Sequence, residues 1–267
     1  MKVVFGVLSS VLMVALYTAN AAAEMPDVLG VQLGMPVRDA HAKLQAQLPK
    51  NKIQVMSDTL PTIDKPVLKS FSSAPVEQIM MGMEGDHVTV NVTLPPNKQA
   101  VWSVTRQHFF ANKGIPKTTL LASLREKYGK ETLANYNLNK PVTDDSQIQT
   151  LLWLFDEQGR PAPLPSKEQL RTCLGLEESE LGNIEVYANL YRGKDSKNDW
   201  CYSSWNVVVV AAVESMPELY GQMRVVAASL ALALRASEAT SKWKKDIAEG
   251  EHRQDIEKAK QQEKPKL

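Results

Sequence analysis

Two hydrophobic periods alternate along this chain. From Val101 to Phe110 the sequence VWSVTRQHFF keeps a two-residue beat. Val101, Ser103, Thr105, Gln107 and Phe109 fall on one side, and Trp102, Val104, Arg106, His108 and Phe110 on the other. That is the beat of an extended strand. A Gly114–Pro116 turn follows, and then the period changes. Leu120, Leu121, Leu124 and Tyr128 recur at helical spacing opposite Arg125, Glu126 and Lys127, which predicts a helix over Lys117–Tyr128 stopped at Gly129. The same grammar occurs earlier. Val28 to Pro36 is a short alternating stretch closed by Gly34 and Pro36, and Val37, Ala40, Leu44 and Leu48 predict a helix over Val37–Leu48 with proline at its first position.

Each helix is followed by strand-like segments. In the first half these are Lys69–Val76 and a hairpin whose second strand, Val88–Leu94, alternates strictly, with Gln78–Met83 before it and Glu84–His87 as its turn. The stretch Asp58–Pro66, with Pro61 and Pro66, reads as a loop. In the second half Ile148–Phe155 is β-prone and closes at Asp156–Arg160, a proline-rich loop covers Pro161–Pro165, and Lys167–Cys173 reads as a short helix. Ile184–Tyr191 and Trp200–Val213 read as strands joined by Arg192–Asp199; the unbroken Val207–Val210 run asks for cover on both faces. Two readings compete next. Ser215-Met216-Pro217-Glu218 fits a capping box and would open one long helix. Leu219–Ser229 also alternates as a strand after a Glu214–Glu218 turn, followed by a helix over Ala231–Ile247, and the strand is chosen. Gly250–Leu267 is charged and polar without an apolar stripe, which predicts a disordered tail. The fold class is therefore α+β, with two related modules of short helix plus antiparallel sheet at 24–98 and 99–249, a C-terminal helix, and a tail at 250–267.

Composition changes the picture at the N-terminus. Lys2, an apolar run over Val3–Tyr17 and the small-residue steps Ala19-Asn20-Ala21 and Ala21-Ala22-Ala23 predict a signal peptide over 1–23. The run is shorter than the roughly 20 residues a membrane span needs. The expected mature chain begins near Ala22 or Glu24, has no membrane span, and works in the periplasm or outside the cell. With 31 basic against 30 acidic residues in 267, there is no electrostatic case for a nucleic-acid partner.

No catalytic motif is present. His41, His87, His108 and His252 lie far apart, with no H-E-x-x-H spacing. His108, alone in an aromatic strand, reads as a structural residue. Glu84-Gly85-Asp86 is ordinary turn chemistry. Met80, Met81 and Met83 read as core rather than as a soft-metal site, because adjacent strand residues point to opposite faces. No cofactor or metal is implied. The pattern Gly30-x-x-x-Gly34-Met35-Pro36 with Ala40 and Leu44, echoed by Pro116 with Leu120, Leu124 and Lys127-Tyr128-Gly129, resembles the repeat modules of the β-lactamase-inhibitor-protein family and of the SmpA/OmlA outer-membrane lipoproteins. The resemblance implies a helix packed on an antiparallel sheet and a non-catalytic, protein-binding role. The acylated cysteine of the lipoproteins has no counterpart near the cleavage site.

Three functional readings follow: a protein that binds another protein or an envelope component, an envelope hydrolase whose site is assembled from scattered residues, and a structural or assembly accessory of the envelope. Trp102, Trp153, Trp200, Tyr202 and Trp205 are candidate interface residues, since such side chains favour interfaces; an equal reading places most of these tryptophans in the core. The two cysteines, Cys173 and Cys201, have no C-x-x-C spacing, and in an oxidising compartment they are expected to form a structural disulfide. Thiol titration of the native exported protein should find no free thiol. Reduction should cost roughly 2–4 kcal/mol and loosen 161–182 before the sheet, as read by hydrogen exchange. Two free thiols in the native protein would rule the bridge out.

Overall fold

A computed structural model describes residues 24–58, 66–75, 85–135, 144–164, 166 and 205–261. After a small hairpin of β1 (Asp27–Val28) and β2 (Val31–Gln32), α1 (Val37–Gln47) leads into β3 (Asn51–Asp58), β4 (Val67–Pro75), β5 (Gly85–Val92) and β6 (Val101–Phe109). The short β7 (Ile115–Pro116), α2 (Lys117–Tyr128), β8 (Leu133–Ala134) and β9 (Thr150–Phe155) follow. β10 (Asn206–Met216), β11 (Leu219–Ser229) and α3 (Leu230–Lys260) complete the chain. All strands after β2 join one sheet in the order β3-β4-β5-β6-β11-β10-β9-β8, with β7 beside β11. Every pairing in it is antiparallel. The architecture is α+β, and the sheet runs unbroken across the 98/99 boundary expected between modules.

Alternation decides which residues face which layer. Phe71, Val90, Val104, Ala227, Val208 and Trp153 stand opposite one another across six strands and are buried in one core with Ala40 and Leu44 of α1 and Leu120, Leu121 and Leu124 of α2. Burying one such aliphatic side chain contributes about 1.5–3 kcal/mol. The intervening residues Leu152, Leu154, Val207, Val209 and Val226 are also buried, on the opposite face. This double burial explains why Val207–Val210 has no alternation of its own. α3 lies on that second face. Its Trp243 packs on Val67 and Leu94, and Thr240 Oγ1 donates to the Pro95 carbonyl at 2.8 Å.

Prolines set the starts of α1 and α2. Pro36 (φ −57°) and Pro116 (φ −55°) precede the first helical residues, and each bridges into the sheet, Pro36 to Ala100 and Pro116 to Leu219. Gly114 has to be glycine. Its φ is +127°, and a Cβ there would sit 2.4 Å from the Tyr220 carbonyl oxygen. Gly129 ends α2 with φ +80°.

Expectations change at β3, at the start of β5 and at the end of α3, and the choice of a strand over Leu219–Ser229 holds. The stretch after α1 is a strand, β3, whose Lys52, Gln54 and Ile53 alternate; the exposed Met56 following Val55 hid the pattern. β5 begins at Gly85, so Asp86 and His87 lie in the strand rather than in a turn. Leu219–Ser229 is a strand as chosen, because it hydrogen-bonds β10 on one side and β6 on the other. The strand then passes straight into α3, where Ser229 Oγ accepts from the Leu232 amide. The helix does not stop at Ile247, nor does a disordered tail begin at Gly250: α3 continues to Lys260. Extending a nucleated helix is cheap, and Lys245–Glu249, Lys258–Asp255 and Lys260–Glu257 pair at helical spacing. Residues 251–260 are nevertheless all exposed. Truncation after Gly250 should therefore lower the helical circular-dichroism signal and leave the thermal midpoint nearly unchanged; a fall of many degrees would show that this last part of α3 docks.

Candidate binding face

The residues expected at an interface divide. Trp102 and Trp153 are 5% and 1% exposed, so both are core residues and neither can meet a partner. Trp153 lies against the Tyr128 ring at 5.4 Å, and its indole N–H donates to the Gly129 carbonyl. Trp205 is half-buried. Trp200, Tyr202, Cys173, Cys201, Met80, Met81 and Met83 lie outside the described residues, as do 167–173, 184–191 and 76–84.

The α1/α2 face holds a polar cluster that reading the residues one by one missed. Asp86 of β5 is directly opposite His108 of β6. Asp86 Oδ1 accepts from Arg106 Nε at 2.5 Å and lies 2.9 Å from His108 Nδ1. Burial works to raise the Asp86 carboxyl, but the hydrogen bonds and charges of His108 and Arg106 outweigh it and bring it down to about 2. The ionised carboxylate places the imidazole proton on Nδ1, and the ring meets Phe110 edge-on at 4.6 Å. The signal was available in the sequence: carrying the Val88–Leu94 alternation back two residues puts Asp86 in register with a residue of the next strand. A second charged group is buried at the start of α2. Lys117 Nζ donates to Glu214 Oε1 at 2.6 Å and to the Ser146 carbonyl at 2.7 Å, and lies 5.6 Å from the centre of the Tyr220 ring. Arg125 is shared between Glu131 and Asp145. These groups satisfy one another. Among the described residues no three His, Cys, Asp or Glu side chains gather as metal ligands.

The α3 face differs. Beyond the part α3 covers, one row runs Gln54–Ser72–Thr89–Thr105 across β3 to β6, and the next carries His87, Gln107 and Arg224 across β5, β6 and β11. Gln54 is exposed, and Ser72, Thr89, Thr105, Gln107 and Arg224 are half-buried. Among the described residues none of these six makes a side-chain hydrogen bond or ion pair. At a strand spacing of about 4.8 Å, the first row spans roughly 14 Å. At its outer end β3 is an edge strand with Val55 60% and Met56 58% exposed.

No family model, curated protein or solved structure matches the chain. Among the described residues no helix is long and apolar enough to cross a membrane.

Asp86 makes a pH test of the cluster. Its folded pKa lies below the ordinary carboxylate value, so it contributes stability that is present above about pH 4 and is lost as pH falls through about 2. Asp86→Asn should lower stability by roughly 1–2 kcal/mol at pH 7 and flatten the fall between pH 4 and 2. Equal acid sensitivity in variant and parent would show that the pair carries no such coupling.

Proposed function

We propose that this is an exported, non-catalytic α+β protein that binds another protein or an envelope component through the polar part of its α3 face. One observation carries the reading: Ser72, Thr89, Thr105, Gln107 and Arg224 present unpaired hydrogen-bonding groups side by side on adjoining strands. The side chains of a solvated sheet face meet water easily, but a row of donors and acceptors held by a rigid sheet meets a partner at little ordering cost. The export part rests on the signal-peptide pattern of residues 1–23.

The reading includes two related modules, supported by parallel placement. With the boundary moved from 98/99 to the end of β6, each half is a helix followed by four strands, α1 with β3 to β6 and α2 with β8 to β11, and the last strand of each, β6 or β11, pairs with the other. Each helix starts after a proline bridged to the start or the lead-in of its own half's last strand. The buried positions Ala40 and Leu44 stand at the same offsets from Pro36 as Leu120 and Leu124 do from Pro116.

The Asp86–His108 pair favours a second reading, an envelope hydrolase, because a carboxylate that orients a histidine is a recurring part of general-base chemistry. A hydrolase of this kind needs His108 for activity on envelope material.

Paired affinity capture from periplasmic extract tests the first reading. The mature chain is compared with a variant carrying Thr89→Tyr and Thr105→Tyr, which crowds the face without adding charge. The expected result is a partner recovered with the parent and lost with the variant. Equal recovery with both would overturn the choice of face, and hydrolysis of envelope material abolished by His108→Ala would replace binding with catalysis.

A further inference from the structure

We infer that Arg224 is a carboxylate anchor, and that the partner presents an extended acidic peptide segment to this face. The inference rests on the binding reading above and names the chemistry that the face selects. Arg224 sits at the centre of a three-by-three patch set by strand register. Gln107 and Ala211 flank it on β6 and β10, Val226 and Gln222 stand above and below it on β11, and Thr105, Phe109, Val209 and Val213 occupy the corners. No carboxylate stands in any of these positions. Arg224 is half-buried and has no ion pair or side-chain hydrogen bond among the described residues. The other arginines of the sheet and helices at comparable depth are paired, Arg106 to Asp86 and Arg125 to Glu131 and Asp145.

An unpaired guanidinium in a partly desolvated setting is the natural complement of a carboxylate, which it holds through two parallel hydrogen bonds. The surroundings narrow the carrier of that carboxylate. Gln107 and Thr105 add uncharged donors and acceptors beside the guanidinium, and Thr89 and Ser72 continue that row away from it across β5 and β4. On the other side Val213 is 56% exposed. A peptide with an acidic side chain on Arg224, an apolar neighbour on Val213 and its amide groups along the threonines uses all of these at once. The length of the row, roughly 14 Å over three strand spacings, matches about four extended residues. Lys52 of the edge strand β3, opposite Ala74, is exposed.

Fluorescence anisotropy on the whole mature chain tests this with labelled synthetic peptides in which glutamates alternate with valine and serine, the same peptides with glutamine for glutamate, and an oligosaccharide of uronic acids. The glutamate peptide should bind about tenfold or more tighter than its glutamine analogue, as a charge-assisted pair implies, and added salt should narrow the gap. Arg224→Gln should erase the preference and Arg224→Lys keep part of it, with circular dichroism unchanged in both. Equal affinity for the two peptides, no binding of either, or a preference that survives Arg224→Gln would overturn the inference. Binding of the uronate alone would overturn the peptide assignment. Loss of the Arg224-dependent preference while Thr89→Tyr/Thr105→Tyr still abolishes capture would leave the binding face standing and remove only its acidic partner.

Discussion

The antiparallel pairing of β6 with β11, Ser103–Phe109 against Gln222–Ala228, is the contact on which the rest of the structure depends. Each of these strands has an antiparallel meander on its other side, β3 to β5 beside β6 and β8 to β10 beside β11. Their pairing makes one broad sheet of the strands on either side. The seam also carries the deepest rows of the core, Val90–Val104–Ala227–Val208 on one face and Val226 on the other. Its backbone hydrogen bonds are shielded by side chains above and below, so it should be among the last parts of the sheet to open.

The two faces of that sheet are used unequally. α1 and α2 lie over opposite halves of one face and fill it with aliphatic and aromatic side chains. α3 leaves β11 directly at Ser229 and crosses towards Leu94 and Val67. A single helix is about 10 Å across, so it covers only a band of a sheet this wide. The rows it leaves bare carry Ser, Thr, Gln and Arg in β3 to β6 and in the lower part of β11. Bare rows and polar residues coincide, which follows from the physics of burial, since polar side chains are retained where water can reach them.

Asp86 and Lys117 are largely withdrawn from water, and each is held by more than one partner, Asp86 by Arg106 and His108, Lys117 by Glu214 and the Ser146 carbonyl. Such groups would be costly if left alone. They tie strand to strand and α2 to the end of β10. Arg224, at intermediate depth with no such arrangement, departs from this pattern.

Reading the residues in order located α1, α2, β6, β9, β11 and the start of α3, because in each the apolar side chains repeat with the period of the element and the local turn chemistry agrees. It could not locate β3, where Ile53, Val55 and Met56 do not keep one beat, or the last turns of α3, where nothing is buried and only propagation and ion pairs sustain the helix. Asp86 and His108 looked unrelated because they are 22 positions apart, and only the β5–β6 register makes them neighbours. The tryptophans show the limit most plainly. Composition says that Trp102 and Trp153 are large and amphipathic, which suits a core or an interface equally; which of the two it is depends on what lies across the sheet from them. What the sequence alone determined was the local periodicity, the proline and glycine punctuation and the α+β class, all properties of residues near one another in the chain. The tertiary structure decided the β6–β11 pairing that makes one sheet, the burial of those tryptophans and the lack of an ion-pair partner for Arg224 among the described residues, because each is set by residues that strand pairing brings together from distant parts of the chain.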